Sequence, residues 1–351
     1  RQGWSGDETY RLVMGAAFGY PLEYPWHELS YSSNSSFLMI AASDYMASAS
    51  DESVDRERFE ELAERARGGL RDHFLLDGTH YSPFIFHTVG SDNEANYVEE
   101  RPFEDANLKG LWSGALAYDD AIALSDLQNL VDVAGRGDGT IQSTIDPKYS
   151  NVLGIRVDEG VATGMVPGYT LTALTLTGDP LAEGAFNALH RYAGPSGQYP
   201  EDLLYDDMSA LQVVYDERGG LGDIAARYRP WEGGINLDAM LSYLVGAEPI
   251  EGGMRLRPHL PNQQSHMEAR HVRAGVGFGT LRLDRTLDSL TATFTSEADL
   301  PFDLVIELPE PAGFEGASDD VVVLPRGERL RRRVYPQIGP GESVQIVGSG
   351  R

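Results

Sequence analysis

Acidic residues standing beside aromatic ones in turns are the recurrent chemistry-bearing pattern of this chain: Trp4 with Asp7 and Glu8, Glu23-Tyr24-Pro25-Trp26, Glu104-Asp105, Asp158-Glu159, Tyr199-Pro200-Glu201 and Trp231-Glu232. Sugar chemistry needs such parts. Aromatic faces stack on the apolar faces of sugar rings, carboxylates grip hydroxyls, and one pair of carboxylates divides acid and base work. The stretch from Gly197 to Leu244 holds two of these pairs, each opening a segment with an apolar, helix-like interior. Glu201 and Glu232 are therefore candidate catalytic residues. The plain alternative is strong, because the chain has 54 Asp and Glu and most must be solvated charges or helix caps. Glu201 can simply supply negative charge to a helix start, and Trp231 can be a core wedge.

Other chemistries lack their residues. There is no phosphate-binding loop, no dinucleotide fingerprint after a strand, no HExxH and no GxSxG. Gly135-Arg136-Gly137-Asp138-Gly139 has neither the flanking strand nor the Lys-Ser/Thr of a nucleotide site and reads as a turn. The eight histidines show no ligand-like spacing, so no metal and no cofactor is expected; loop carboxylates such as Asp92 and Glu94 are the weaker case for calcium. With no cysteine, disulfides and thiolate nucleophiles are excluded.

These residues must be positioned by a long run of helices. Apolar residues fall at helical spacing over Asp7–Tyr20, Ser35–Ser48, Asp55–Leu76, Asp105–Ser125, near Gln128–Ala134, and over Val166–Leu176, Leu181–Tyr192, Met208–Glu217 and Ile235–Val245. Ser32, Ser33 and Ser35 are potential N-caps for the second, and Asp179 before Pro180 fits a helix start. The third carries Phe59, Leu62, Ala66, Leu70 and Phe74 on one stripe. Thr79–Pro102 and Gly135–Gly164 read as long loops, the first rich in aromatics and acids.

Paired helices joined through turns predict stacked αα-hairpins rather than a βαβ sheet. From about Gly252 the texture changes to short alternating or apolar runs, such as Gly277–Leu283 and Ser289–Phe294, separated by Pro and Gly turns. That predicts an antiparallel β-sandwich. The expected division is a helical domain over 1–250, incomplete at its N-terminus, and a β domain over 251–351.

A net charge of −26 repels nucleic acid and anionic membranes, and no apolar run is long enough to cross a membrane. The chain reads as soluble, secreted or cytoplasmic. Acid-rich, lysine-poor surfaces suit high salt, so a halophilic source is expected. The opening Arg1-Gln2-Gly3-Trp4, without Met, suggests a longer protein whose N-terminal part is a possible partner.

Arg1-Gln2-Gly3-Trp4-Ser5-Gly6-Asp7 resembles the ERxGWxGD signature of the α-L-rhamnosidase family of inverting glycosidases. The close of the helical part, Tyr243-Leu244-Val245-Gly246 followed by Met254-Arg255-Leu256-Arg257-Pro258-His259-Leu260-Pro261, also looks like that of (α/α)6 glycosidases. The resemblance implies a mainly α fold, an (α/α)6-barrel-type toroid followed by a β-sandwich, and a carbohydrate substrate. It implies that Trp4 walls the sugar pocket and Asp7 binds hydroxyls. The general acid would be the glutamate before Arg1, with Glu8 as the other choice. The general base would fall in an aromatic-Glu segment ahead of the last barrel helix, which Tyr199-Pro200-Glu201 matches better than Glu232 does.

The expected activity is an inverting, exo-acting glycoside hydrolase with Glu201 as base and Trp4, Asp7, Trp112, Tyr199 and Trp231 around the sugar. Another (α/α)6 glycosidase, of the α-glucosidase, glucoamylase or debranching type, is an alternative. So is a glycoside phosphorylase, although carboxylate-rich, lysine-poor turns do not suit phosphate. A non-catalytic carbohydrate-binding or structural protein is the reading from a different class.

Overall fold

The computed structural model describes residues 14–15, 30–86, 97–98, 104–141, 161–193, 199, 202–204, 230–310 and 321–349. Its contacts divide the chain into two compact units, Arg1–Ala173 with Ala188–Gly233, and Leu174–Asn187 with Gly234–Arg351.

In the first unit, helix α1 (Ser33–Ala49) packs along α2 (Ser53–Gly69), which continues as a single π turn over Leu70–Phe74. Ser32 takes the N-cap position of α1, as expected, but makes no side-chain capping bond. Together these elements enclose Phe37, Ile40, Ala66, Leu70, Phe74, Tyr81 and Ala115, with Phe37 edge-on to Tyr81 at 5.5 Å. Each fully buried Leu, Ile or Phe of such a core contributes about 1.5–3 kcal/mol. The expected stripe of α2 and its π turn faces this core, with Ala66, Leu70 and Phe74 fully buried. Ala63 joins the buried face, while Phe59 and Leu62, nearer the N-terminal end of the stripe, are half-buried.

Three sequence expectations change here. Met14–Gly15 (β1), placed in a helix by its spacing, instead pairs with Ser30–Ser32 (β2), because a strand partner outweighs a weak local helix propensity. The stretch expected as loop after Asp77-Gly78-Thr79 holds three short strands, β4 (His80–Tyr81), β5 (Phe84–Phe86) and β6 (Tyr97–Val98). β4 turns back on β3 (Leu75–Leu76), and β5 and β6 extend a four-stranded sheet in the order β1-β2-β5-β6. The helix expected over Asp105–Ser125 is two helices, α3 (Glu104–Trp112) and α4 (Ala121–Ala134). Gly114, at φ 77°, ends the first, and Asp120 caps the second by accepting from the N–H groups of Ile122 (2.8 Å) and Ala123 (3.0 Å). The helix expected at Met208–Glu217 lies outside the described residues.

One buried polar knot ties α3, α4 and β4 together. Asp126, 2 % exposed, accepts from Asn107 Nδ2 at 3.0 Å and from the Tyr81 N–H at 3.3 Å, and the same Asn107 nitrogen donates to the Tyr81 carbonyl at 2.8 Å. Burial pushes the Asp126 carboxyl up to about 7, against the pull of those two donors.

Helices α5 (Val166–Thr177) and α6 (Ala182–Tyr192) follow the expected spans closely. Asp179 starts α6 as expected, its Oδ1 accepting from the Leu181 N–H at 2.8 Å, while its other oxygen binds Arg326. β7 (Val161–Thr163) pairs antiparallel with β8 (Asp202–Leu204). Helix α7 (Pro230–Leu244) begins earlier than its apolar run. Pro230-Trp231-Glu232-Gly233-Gly234, expected as a turn, forms its first turn, where a Pro and an acidic residue both suit the free N–H groups.

The second unit contains two sheets closing on one apolar core. A five-stranded sheet runs in the order β15-β16-β14-β10-β9, from β9 (Ala247–Ile250), β10 (Gly253–Leu256), β14 (Phe302–Glu310), β15 (Val321–Val323) and β16 (Arg329–Ile338). A four-stranded sheet runs β11-β12-β13-β17, from β11 (His266–Ala274), β12 (Gly277–Arg285), β13 (Ser289–Ser296) and β17 (Ser343–Ser349). Alternation decides the inner face. On β13, Leu290, Ala292 and Phe294 point in, meeting Phe302, Leu304, Ile306 and Leu308 of β14 in the shared core. One pair departs from the antiparallel expectation: β10 runs parallel to β14, because the chain crosses to the other sheet and returns in the same direction.

On the other face of the five-stranded sheet, Glu307 is 3 % exposed and accepts from Arg257 Nε at 3.0 Å and Nη2 at 2.9 Å. Arg255 and Arg332 stand 3.9 and 3.8 Å from its other oxygen. Nearby, Gly178 adopts φ 70° where a Cβ would lie 2.6 Å from Leu324 Cβ and 2.8 Å from Glu328 Cβ.

Gly114 shares the left-handed backbone but has open space around it. Both Gly→Ala changes therefore incur about 1–2 kcal/mol of backbone cost, and Gly178→Ala adds a clash with packed side chains. In urea unfolding, Gly178→Ala will lose more stability than Gly114→Ala; an equal or smaller loss would refute the packing described.

Asp126 gives a pH signature. Its folded value, about 7, lies above the ordinary 3.8, so its contribution to stability is complete below about pH 4, declines from there to about 7, and is level above. The swing is on the order of 4 kcal/mol. Asp126→Asn should flatten the decline of Tm over that window, and an unchanged slope would remove Asp126 as its source.

Candidate functional site

The first turn of α7 presents a carboxylate and an indole together. Glu232 has no exposed surface, and the Trp231 Nε1–H donates to its Oε1. Trp231 itself is 47 % exposed. Helical spacing continues the buried face of Glu232 through Asn236, Ala239 and Tyr243, all buried, so the carboxylate stands where the helix's free N–H groups also favour negative charge.

Tyr199 is buried, and its hydroxyl donates to the Leu189 carbonyl of α6 at 3.2 Å. Burial raises its pKa. Three residues on, Asp202 begins β8 and pairs with Thr163 of β7. Glu201 lies outside the described residues, but an anchored ring precedes it and a paired strand follows it. Trp4, Asp7 and Glu8 also lie outside the described residues.

Trp112, at the end of α3, is half-buried and meets the Tyr169 ring of α5 edge-on, centroids 4.8 Å apart. Lys109, one turn earlier and 8 % exposed, places its ammonium 5.3 Å from the same ring centroid. The Tyr169 hydroxyl donates to Met165 Sδ at 3.3 Å. This gives a largely buried cationic and aromatic cluster inside the helical unit. Sequence reading named Trp112 and missed Lys109 and Tyr169. The usable signal was Lys109 itself, one of only two lysines, three positions before a tryptophan.

The described contacts thus join Trp231 to Glu232 and Trp112 to Tyr169, while Tyr199 belongs to the packing of α6. Asp126 was also missed. A carboxyl titrating near neutrality can mark a functional group. Here, however, its described partners are Asn107 and the Tyr81 N–H, which fit a structural knot.

In the second unit a polar cavity of about 90 Å³ is bordered by Asp179, Glu183, His259, Asn262, Arg285 and Glu328. Its walls bind one another. Glu183 accepts from the Asn262 N–H (2.7 Å) and Nδ2 (2.6 Å), and His259 lies between the Tyr243 carbonyl and Glu328, 3.1 Å from each. Arg285 donates to the Pro261 carbonyl at 2.8 Å. Among the described residues no group of three or more His, Cys, Asp or Glu is placed to hold a metal, and no helix is long and apolar enough to cross a membrane.

No protein-family model and no curated protein matches the chain. Solved structures with a similar course include a glycosidase variant in complex with glucose, at 14 % identity and TM-score 0.44 over 60 % of this chain and 51 % of that one. The α-L-rhamnosidase from Dictyoglumus thermophilum matches at 14 % identity and TM-score 0.49 over 89 % of this chain and 31 % of its own. That of Streptomyces avermitilis complexed with L-rhamnose matches at 13 % identity and TM-score 0.49, over 90 % and 26 %. The chain therefore spans about half the length of the first of these proteins and less than a third of the other two.

Proposed function

We propose that this chain acts in a glycoside hydrolase, inverting, exo-acting and α-L-rhamnosidase-like, in which a helical toroid over 1–250 carries the catalytic groups and a β-sandwich over 251–351 follows it. The observation that carries the reading is the pairing of indole and carboxylate at Trp231 and Glu232. It puts the acid-beside-aromatic pattern of the sequence into one buried, hydrogen-bonded unit at a helix start. The likeness of Arg1–Asp7 to the rhamnosidase signature supports the choice of sugar class.

In this mechanism Glu201 is the general base. Its carboxylate takes a proton from a water as that water attacks the anomeric carbon, and a carboxylic acid on the opposite face protonates the leaving glycosidic oxygen. No covalent intermediate forms, so the two carboxyl groups must leave room for the water, about 6.5–9.5 Å apart. The acid is Glu8, or the glutamate that the family's motif puts ahead of Arg1. Trp4 and Trp231 wall the sugar, Trp112 borders it beside Lys109 and Tyr169, and Asp7 accepts from its hydroxyls. Tyr199 anchors the turn that carries the base. Glu232 supports Trp231 at the pocket wall.

The test is hydrolysis of p-nitrophenyl α-L-rhamnopyranoside and a panel of other p-nitrophenyl glycosides, with the anomer of the first-formed product read by NMR. Glu201→Gln should lower kcat by about 10²–10⁴-fold while sugar binding survives. Glu232→Gln should retain most turnover. Loss with Glu232→Gln and none with Glu201→Gln would exchange the two roles. Turnover that requires inorganic phosphate would mean a phosphorylase, and release of no sugar from any glycoside would end the enzymatic reading.

A further inference from the structure

Strand β16 is the most basic stretch of an acidic chain. The segment from Arg326 to Arg333 contains five arginines and one acidic residue, Glu328, within a sequence of net charge −26. Pairing with β14 sorts these charges by face. Arg329, Arg331, Arg333 and Tyr335 lie opposite Glu310, Leu308, Ile306 and Leu304, so they form a row on one side of the strand, while Arg332 falls on the other side near Glu307. Alternate residues of a strand repeat at about 6.8 Å, which makes this a linear array of cations.

The row is held in place by its neighbours. Arg331 binds the Glu310 carboxylate and donates from Nη1 to the Val347 carbonyl at 2.7 Å. The Tyr335 hydroxyl donates to the Gln345 carbonyl at 2.6 Å, and the Arg333 guanidinium lies 5.4 Å from the Tyr335 ring centroid. Arg333 is exposed and Arg329 partly so. Among the described residues neither makes an ion pair with a carboxylate, whereas Arg331, Arg332 and Arg326 do. Two guanidiniums therefore carry surplus charge at fixed spacing, beside a tyrosine ring fixed by its own hydroxyl.

We propose that this rim of the β16 sheet anchors a carboxylated polysaccharide. Guanidinium groups pair with carboxylates in a planar, two-pronged geometry, and the Tyr335 ring, packed against the core, holds Arg333 in place beneath it. Charge density favours this polymer over nucleic acid. A duplex-binding protein makes about 6–10 phosphate contacts, more than the two surplus guanidiniums of this row supply. The choice of a sugar polymer rests on the glycosidase reading; the cationic row does not.

Binding is measured on the full chain by affinity electrophoresis in gels containing polygalacturonate, with dextran gels as the neutral comparison, at about 50 mM salt where charge contacts are strongest. Polygalacturonate should retard the chain and dextran should not. The double variant Arg329→Gln with Arg333→Gln should bind polygalacturonate about tenfold more weakly, with unchanged thermal unfolding. Equal retardation of variant and wild type would overturn the proposal, as would equal retardation in dextran or tighter binding to duplex DNA than to polygalacturonate. A chain that hydrolyses glycosides but ignores polygalacturonate refutes only the anchor. One that binds it but releases no sugar refutes only the glycosidase.

Discussion

Keeping carboxylates out of water without leaving them unsatisfied is the constraint on which the most buried parts of this structure depend. Taking an ionised carboxylate from water costs several kcal/mol unless hydrogen bonds replace its hydration. Each of these buried acids accordingly has its own hydrogen-bond or ion-pair partner. Glu307 takes two from Arg257, Asp179 has Arg326 and the start of α6, Glu310 has Arg331, and Glu232 has the indole of Trp231. Asp126 is the exception. It has only an amide side chain and a peptide N–H, and it answers by holding its proton to about pH 7. Arginine suits this economy, since its fork reaches one carboxylate through two nitrogens and stays charged in low dielectric.

The same constraint shows why arginine concentrates around one sheet. Glu307 sits at the centre of the five-stranded sheet with Arg255, Arg257 and Arg332 around it, so positive charge from β10 and the residue just past it, and from β16, converges on one buried acid. Removing any one arginine changes the field felt by the others. A hydrophobic isostere of the whole cluster could be as stable, so the ion pairs are better understood as fixing register between β10, β14 and β16 than as the source of stability. The stability comes from the opposite face, where Phe294, Phe302, Leu304 and Ile306 close the core.

Much of this was legible in the sequence where one local signal ruled. Leu290, Ala292 and Phe294 alternate with Thr and give β13; Asp179-Pro180 marks the start of α6. Where two signals competed, the reading failed. The apolar spacing of Asp105–Ser125 ran through Ser113-Gly114, and only the cap at Asp120 shows that a second helix begins. β9, β11 and β16 were passed over because their alternation is masked by charge. β11 shows its outer face to water, and the arginines of β16 sit where apolar residues would announce a strand. The candidate site was legible only in type. Sequence can pair Trp231 with Glu232, but burial of Lys109 against Tyr169, or of Asp126 against Asn107, depends on which helices meet, and neighbours in space leave no spacing to read.

That distinction bears on the choice between the two candidate bases. A general base must be ionised, reach a water, and keep its position to within a fraction of an ångström. Glu232 meets the last need but spends an oxygen on the indole, and its lack of exposure leaves little room for a water beside it. Tyr199 is tied to α6 through its hydroxyl, and Asp202 pairs with Thr163, so the described chain is held on both sides of position 201. A general base must also change protonation during a reaction without loosening the fold. A carboxylate that holds an indole at a helix start cannot do so freely, and that is the physical reason why the proposed roles put Glu232 with Trp231 at the wall and leave the base to Glu201.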